Sequence, residues 1–303
     1  MRSVKMNQTK KKNKIKVGQI FLHLIFILLC IGYLYPLLML VTISLEGASG
    51  APFGLRIYEF TLNAYRQVFQ RPEKIFNAYG VTIFYSVTAT LASLVVMSLF
   101  AYALSRRDFK YRNILTFLLF FTTLFNGGLV PSYLVNTKFL HMNNSIWIYI
   151  IPSLMSAWYV IVIRTFFQGL PEALHEAARI DGASELTICF RIIIPLATPA
   201  LASVGFLTFI GHWNNWFTTS VYIRDSKLYS LQYLLKIILD NEEQLKEMAN
   251  YGMISQDEVA NQLKNLESLR FSMAIVAAGP MMLIFPFFQR YFSKGLTLGS
   301  VKG

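Results

Sequence analysis

Apolar residues arrive along this chain in long blocks separated by short polar stretches, without the alternation of a half-buried strand. A hydrocarbon core of ~30 Å takes roughly 20 helical residues. Six blocks are long enough: Gly18–Ser44, Ala78–Leu104, Ile114–Val135, Ile146–Ile163, Pro195–Phe217 and Phe271–Phe288. None contains Asp, Glu, Lys or Arg. The pattern predicts an all-α, polytopic membrane protein with six transmembrane helices in a single domain over residues 1–303. Asn126-Gly127-Gly128 and Pro131 predict a break near the middle of the third span. A loop at 165–194 joins spans four and five, and a longer polar loop at 218–270 joins five and six. The longer loop has helical patterning around Leu231–Leu239 and Glu242–Met248.

Composition agrees with the membrane class: 54% of residues are hydrophobic and only 15% charged. The net charge of +12 would suggest nucleic acid in a soluble protein. Sorted by side of a six-span topology, it reads differently. The side that holds both termini carries 17 Lys and Arg against five acids, and the other side 11 against 11. That bias places both termini in the cytoplasm and removes nucleic acid as a partner. The basic start, apolar run and small residues at 47–51 also fit a secretory signal. The run is too long for one, so an uncleaved first helix is the preferred reading. Cys30 and Cys189 imply neither a disulfide nor a metal site.

The spans also lack things. An ionisable side chain at the bilayer centre costs at least ~2.5–3.5 kcal/mol and is usually retained for function. Here only His23 and His212 qualify. An interfacial position for His23 and a partner within the bundle for His212 explain them, a proton relay being the alternative. The chain has no G-x-x-x-x-G-K-[ST], no H-E-x-x-H and no G-x-S-x-G. It is therefore read as a non-enzyme whose transport is passive or driven by a partner.

The 165–194 loop is where a partner would dock. Pro171 and Glu172 suit a helix start and Gly182 its exit. Leu170, Ala173, Leu174, Ala177 and Ala178 fall on one face, with Glu172, His175, Glu176 and Arg179 on the other. A second helical stretch follows, with Leu186, Cys189, Phe190 and Ile193 predicted to face the bundle. An amphipathic connector lying on the membrane is the alternative, but the acidic polar face suits anionic lipid poorly.

Glu176-Ala-Ala-x-x-Asp181-Gly182-Ala183, followed by Phe190, Ile193, Pro195 and Pro199, resembles the cytoplasmic loop of binding-protein-dependent ATP-binding-cassette (ABC) importer permeases. Its Asp-Gly-Ala form is similar to the carbohydrate, maltose-type class. Leu62-Asn63-Ala64-Tyr65 resembles the outer-loop pattern of that family, and Phe125–Pro131 looks like a subgroup for complex carbohydrates. The resemblance implies the type I ABC importer permease fold. It makes the loop a coupling helix, with Glu176, Ala177, Ala178, Asp181, Gly182 and Ala183 docking on an ATPase. Glu176 would pair with a basic residue there and Gly182 would supply the bend. The tail residues Gly299, Val301, Lys302 and Gly303 would reach the ATPase dimer.

The implied partners are a second homologous permease forming a heterodimer, two ATP-binding subunits that carry ATP and Mg, an extracellular solute-binding protein that meets the 218–270 loop, and a sugar, an oligosaccharide by the subgroup. No cofactor is expected on this chain. The implied location is the bacterial plasma membrane. A permease of the same kind for a polyol or phosphorylated compound is the alternative. Candidates for the sugar pathway are Trp213, Asn214, Asn215 and Trp216, then Asn126, Tyr133, Tyr149 and Tyr159. An interfacial aromatic belt is the other reading of the tryptophans. Many sugar permeases carry an acid where this chain has Asn215.

Overall fold

A computed structural model describes residues 17–46, 59–251 and 256–298. Among them all regular structure is helical, and the lone extended pairing is an isolated antiparallel bridge between Glu46 and Phe60. In chain order the elements are α1 (Val17–Ser44), α2 (Asn63–Val68), α3 (Pro72–Ser105), α4 (Arg112–Leu124) and α5 (Leu129–Leu134), which runs on into a π turn at Val135–Phe139. Next come α6 (Trp147–Ile150), α7 (Ala157–Gln168), α8 (Glu172–Ile180) and α9 (Glu185–Ile188). A π turn at Cys189–Ile193 leads to α10 (Ile194–Leu196), then α11 (Thr198–Trp213), α12 (Phe217–Tyr222), α13 (Leu231–Asn250) and α14 (Gln256–Leu298).

Among the described residues, three stretches are long and apolar enough to cross a membrane unbroken: Gly18–Ser44, Pro72–Ser105 and Leu266–Gln289. The total reaches six when each bent pair counts as one crossing: Arg112–Leu124 with Leu129–Phe139, Trp147–Ser153 with Ala157–Gln168, and Glu185–Leu196 with Thr198–Trp213. The first pair turns by 113°. Its corner is Gly128, at φ 87° and ψ −177°, a conformation essentially confined to glycine. The Asn126 side-chain oxygen accepts from the Gly128 amide at 3.0 Å.

α3 is the spine. It begins on Pro72 with Glu73 in the first turn, which suits the positive helix end. Small side chains, Ala78, Ser86, Ala89, Ser93 and Ala101, are buried along it and let neighbouring helices come close. α11 replies with Gly205, where an added Cβ would stand 2.9 Å from Leu94 Cδ1. One core cluster, around Met97, Leu104, Val160, Ile163 and Ile188, ties α3 to α7 and α9. A second joins Tyr85 and Tyr149 to Tyr222, and a third joins Trp213 to Ala78, Leu231 and Met273.

α14 contains Pro280 and Pro286. A helical proline frees the carbonyl four residues back. For Pro280 that carbonyl is Val276, which accepts the hydroxyl of Tyr79 from α3. The next carbonyl, Ala277, accepts Trp213 Nε1–H from α11 at 3.0 Å. Nearer its start, α14 is clasped to α13 through Glu242, which is buried and lies 2.8 Å from Arg270 and 2.7 Å from Lys246.

Several expected boundaries move. The second span starts earlier, at Pro72, and the sixth lies within the longer α14. The fifth does not open at Pro195, because the chain bends by 82° between Leu196 and Thr198, and its helix ends at Trp213. Much of 218–270 is helix, and the two expected pieces fuse into α13, capped by the Ser230 hydroxyl on the Tyr233 amide. Residues 47–51 and Gly299, Val301, Lys302 and Gly303 lie outside the described residues.

Candidate functional site

α8 starts at Glu172, directly after Pro171, and ends in a left-handed glycine. Gly182 has φ 80°, its amide donates to the Arg179 carbonyl at 3.0 Å, and the Ala183 amide donates to the Ala178 carbonyl at 3.0 Å. This is the Schellman closure that a residue at C′ with positive φ makes possible. The Ser184 hydroxyl then caps α9 by accepting from the Thr187 amide at 3.3 Å. The two short helices therefore form a knob at the end of α3.

Polar contacts hold the knob. The Tyr102 hydroxyl donates to Glu185 Oε2 at 2.6 Å and accepts from His175 Nε2 at 2.6 Å. A hydroxyl has a single hydrogen, so this arrangement assigns the Nε2–H tautomer to His175. Arg179 bridges two loops, with Nε 2.8 Å from Glu185 Oε1 and a terminal nitrogen 2.9 Å from Asp108 Oδ2. Its hydrogen bonds to Glu185 and Asp108 raise the guanidinium's already high pKa. Burial pushes the His175 pKa down, and the nearby positive charge of Arg106 adds to that. Desolvation works against the Asp108 carboxylate, yet the Arg179 hydrogen bond and the charges of Arg106 and Arg179 leave its pKa lowered.

The inward face of α8 differs from the expected one. His175 and Ala178 are buried, while Leu174, Ala177 and Ile180 are exposed, Ile180 by 86%. The Tyr102 hydroxyl captures His175 and rotates the apolar stripe outward. Of the docking residues expected from sequence, Glu176, Ala177, Asp181 and Gly182 are exposed, Ala183 is half-buried and Ala178 faces the chain itself. In the stretch after Gly182, Ile188, Cys189 and Ile193 turn inward, whereas Leu186 and Phe190 are exposed. The π turn at Cys189–Ile193 adds a residue and shifts the face.

The pathway candidates do not converge. Tyr149 is fully buried, stacked on Tyr85 and bonded to Thr219 at 2.7 Å. Tyr133 stacks on Tyr222 near it. Trp213 is fully buried in another cluster, and Tyr159 is half-buried against the one beneath α8. Asn215 caps α12 by accepting from the Thr218 amide at 3.0 Å. Asn214, Trp216 and Asn126 are exposed. Tyr102, Asp108 and Glu185 were missed as a site, since Tyr102 meets His175 across 73 residues and Glu185 across 83, Asp108 meets Arg179 across 71, and no local spacing signals these pairings.

A sequence profile described as "Binding-protein-dependent transport system inner membrane component" matches residues 79–298, most of the chain including α8. The chain belongs to that family. The permease is 34% identical over 281 residues to the polygalacturonan/rhamnogalacturonan transport system permease protein YtcP of Bacillus subtilis, covering 92% of this chain and 95% of that one. It is 35% identical over 244 residues to Protein LplC of the same organism, covering 80% of each. The arabinooligosaccharides permease AraQ of B. subtilis is 29% identical, with 95% and 97% covered. Among solved structures, a bacterial ABC transporter involved in the import of the acidic polysaccharide alginate matches with a TM-score of 0.75 and 25% identity, over 92% of this chain and 98% of that one. The permease is thus a bacterial membrane component of an ABC importer. Such a component is not itself the ATPase, and it works with ATPase and binding-protein partners.

Proposed function

We propose that this permease carries a sugar, an oligosaccharide, through the membrane in an ATP-driven importer. The observation that carries the reading is the α8 knob, a rigidly closed helix that turns Leu174, Ala177, Ile180 and Glu176 away from its own chain. A free helix face of this kind suits a protein groove, and fully burying one Leu or Ile stabilises a complex by ~1.5–3 kcal/mol. Two ATPase subunits, carrying ATP and Mg, would receive this knob and its counterpart on a second, different permease. Closure of the ATPases on ATP would draw the two knobs together and favour the outward-open pore; the differential contact belongs to the ATPases and this chain transmits it. Both termini would lie on the ATPase side, and an extracellular binding protein would meet the α12–α13 face. The carbohydrate names of the relatives, together with spans free of charged residues, favour sugar over a polyol or phosphorylated solute.

The test is uptake by the reconstituted assembly across a panel of labelled oligosaccharides, with Gly182→Trp as the control. Among the described residues a Cβ at Gly182 meets nothing within 4 Å, so beyond the strain of a side chain at φ 80° the added bulk would fall on the partner. Uptake and coupled hydrolysis should both fall sharply. If both survive, the docking assignment fails; if no sugar in the panel moves, the carbohydrate reading fails.

A further inference from the structure

Beside α8, where α3, α4 and α7 end or begin, lies a cavity of about 290 Å³. That is room for roughly ten waters at ~30 Å³ each. Arg106, Arg107 and Arg112 all line it, against one carboxylate, Glu172. Arg107 pairs loosely with Glu172 at 4.0 Å, and Arg106 lies 3.5 Å from Asp108, which is already engaged by Arg179. Arg112 has no carboxylate at ion-pair distance among the described residues. With the Gln168 amide turned so that its oxygen faces the guanidinium groups, that one neutral oxygen serves both Arg112, at 3.1 Å, and Arg164, at 3.3 Å. Two guanidinium groups sharing one amide leave positive charge poorly compensated in a partly desolvated site.

Unmet hydrogen-bonding groups point the same way. Arg106 Nε, Arg112 Nε and His175 Nδ1 are buried with no hydrogen-bond partner among the described residues. His175 is only 4% exposed at its side chain and is itself a lining residue. The two arginine Nε–H groups are buried donors without partners, which is expensive, and a ligand with several acceptor oxygens would satisfy them together. A carboxylate is a small match for three guanidinium groups; a tetrahedral oxyanion presents acceptors in more directions. The Tyr102 hydrogen bond leaves His175 Nδ1 as an acceptor, for the remaining proton of inorganic phosphate or for a headgroup hydroxyl.

We infer that this cavity binds a phosphate-bearing anion, supplied by the headgroup of an anionic phospholipid or by inorganic phosphate. Its position where helices end suits the first source, because basic pockets between membrane helices hold lipid headgroups. Occupancy would brace α4 and α7 against α8 and add an anion-dependent stiffness to the knob.

The test uses the full-length chain in nanodiscs. One arm places it in phosphatidylcholine and titrates potassium phosphate against potassium chloride at matched ionic strength. The other replaces part of the phosphatidylcholine with phosphatidylglycerol. The expected result is a saturable rise in Tm in at least one arm, weakened about ten-fold or more in midpoint by Arg112→Gln and less by Arg112→Lys. A response to phosphate alone assigns the free anion, and one to phosphatidylglycerol alone assigns the lipid. The inference is overturned if the wild-type chain gives no saturable response in either arm. It is equally overturned if Arg112→Gln, with helicity by circular dichroism intact, responds like wild type.

Discussion

The Tyr102 hydroxyl does two jobs with one hydrogen, and both concern α8. Tyr102→Phe would leave the buried imidazole N–H only the longer, 3.4 Å approach to Glu185, at a cost of ~1–3 kcal/mol. Amide exchange in α8 should quicken while that of α11 stays unchanged. His175 makes the same attachment sensitive to pH. Its folded pKa lies below the ordinary histidine value of about 6.5. An undocked α8 therefore binds more protons than a docked one between those two values. Attachment is full above about pH 6.5 and is lost as pH falls through that window; Arg106 and Arg179 oppose the charged ring, while Glu185 and Asp108 favour it. Exchange rates corrected for intrinsic pH dependence should show this between about pH 7.5 and 5.5, and His175→Gln should flatten it. Gly182 offers a cleaner measurement. Because a Cβ there meets open space among the described residues, Gly182→Ala costs only the left-handed backbone, ~1 kcal/mol, and Gly182→Asn less. Coupled ATP hydrolysis should fall in the order Asn, Ala, Val, and a flat series would show that the bend does not matter.

At the scale of elements, the corner in α4–α5 was legible because Asn126-Gly127-Gly128 and Pro131 are local signals of a break. Its 113° turn was not, since the angle is set by what each half meets. Gly128→Ala should cost ~1–3 kcal/mol by forcing a side chain into a glycine-only conformation, read as a lower Tm of the purified chain. The existence, limits and cap of α8 were also legible, from Pro171, Glu172 and Gly182. Its orientation was misread for a physical reason: helical periodicity ranks faces by apolarity, and Tyr102, 73 residues from His175, outbids the apolar stripe with a hydrogen bond. Leu186 and Phe190 were misplaced because a π turn breaks the period on which the reading relied. α13 was seen in halves because Asp240 and Asn241 interrupt its apolar pattern; Asp240 is ion-paired to Lys236 one turn earlier, a modest support for the continuous helix.

For the whole molecule, six apolar blocks were countable from sequence, but three of them are bent pairs, so the packing could not be inferred from the count. α1 stands largely outside the fold, with most of its apolar side chains exposed, and meets the rest chiefly through α14 and the Ser44 hydroxyl, 2.9 Å from that of Tyr65. An apolar face of this extent suits a lipid surrounding. At the other extreme, the clasp between α13 and α14 depends on a buried carboxylate. Arg270→Ala should lower stability by ~1–3 kcal/mol, with Lys246 limiting the loss, and leave α8 exchange rates unaltered.

The clasp belongs to a helix of 43 residues, roughly 65 Å long, about twice the thickness it has to cross. A rod of that length is expected to flex where a proline interrupts it. At Pro280 the interruption is splinted: Tyr79 grips one carbonyl from α3 and Trp213 the next from α11. Those two helices are also the ones to which the α8 knob is anchored, by Tyr102 and through α9. With both carbonyls held, α14 is expected to behave at that level as one stiff beam, so that a displacement there would tilt it and swing its far clasp through an arc instead of bending it.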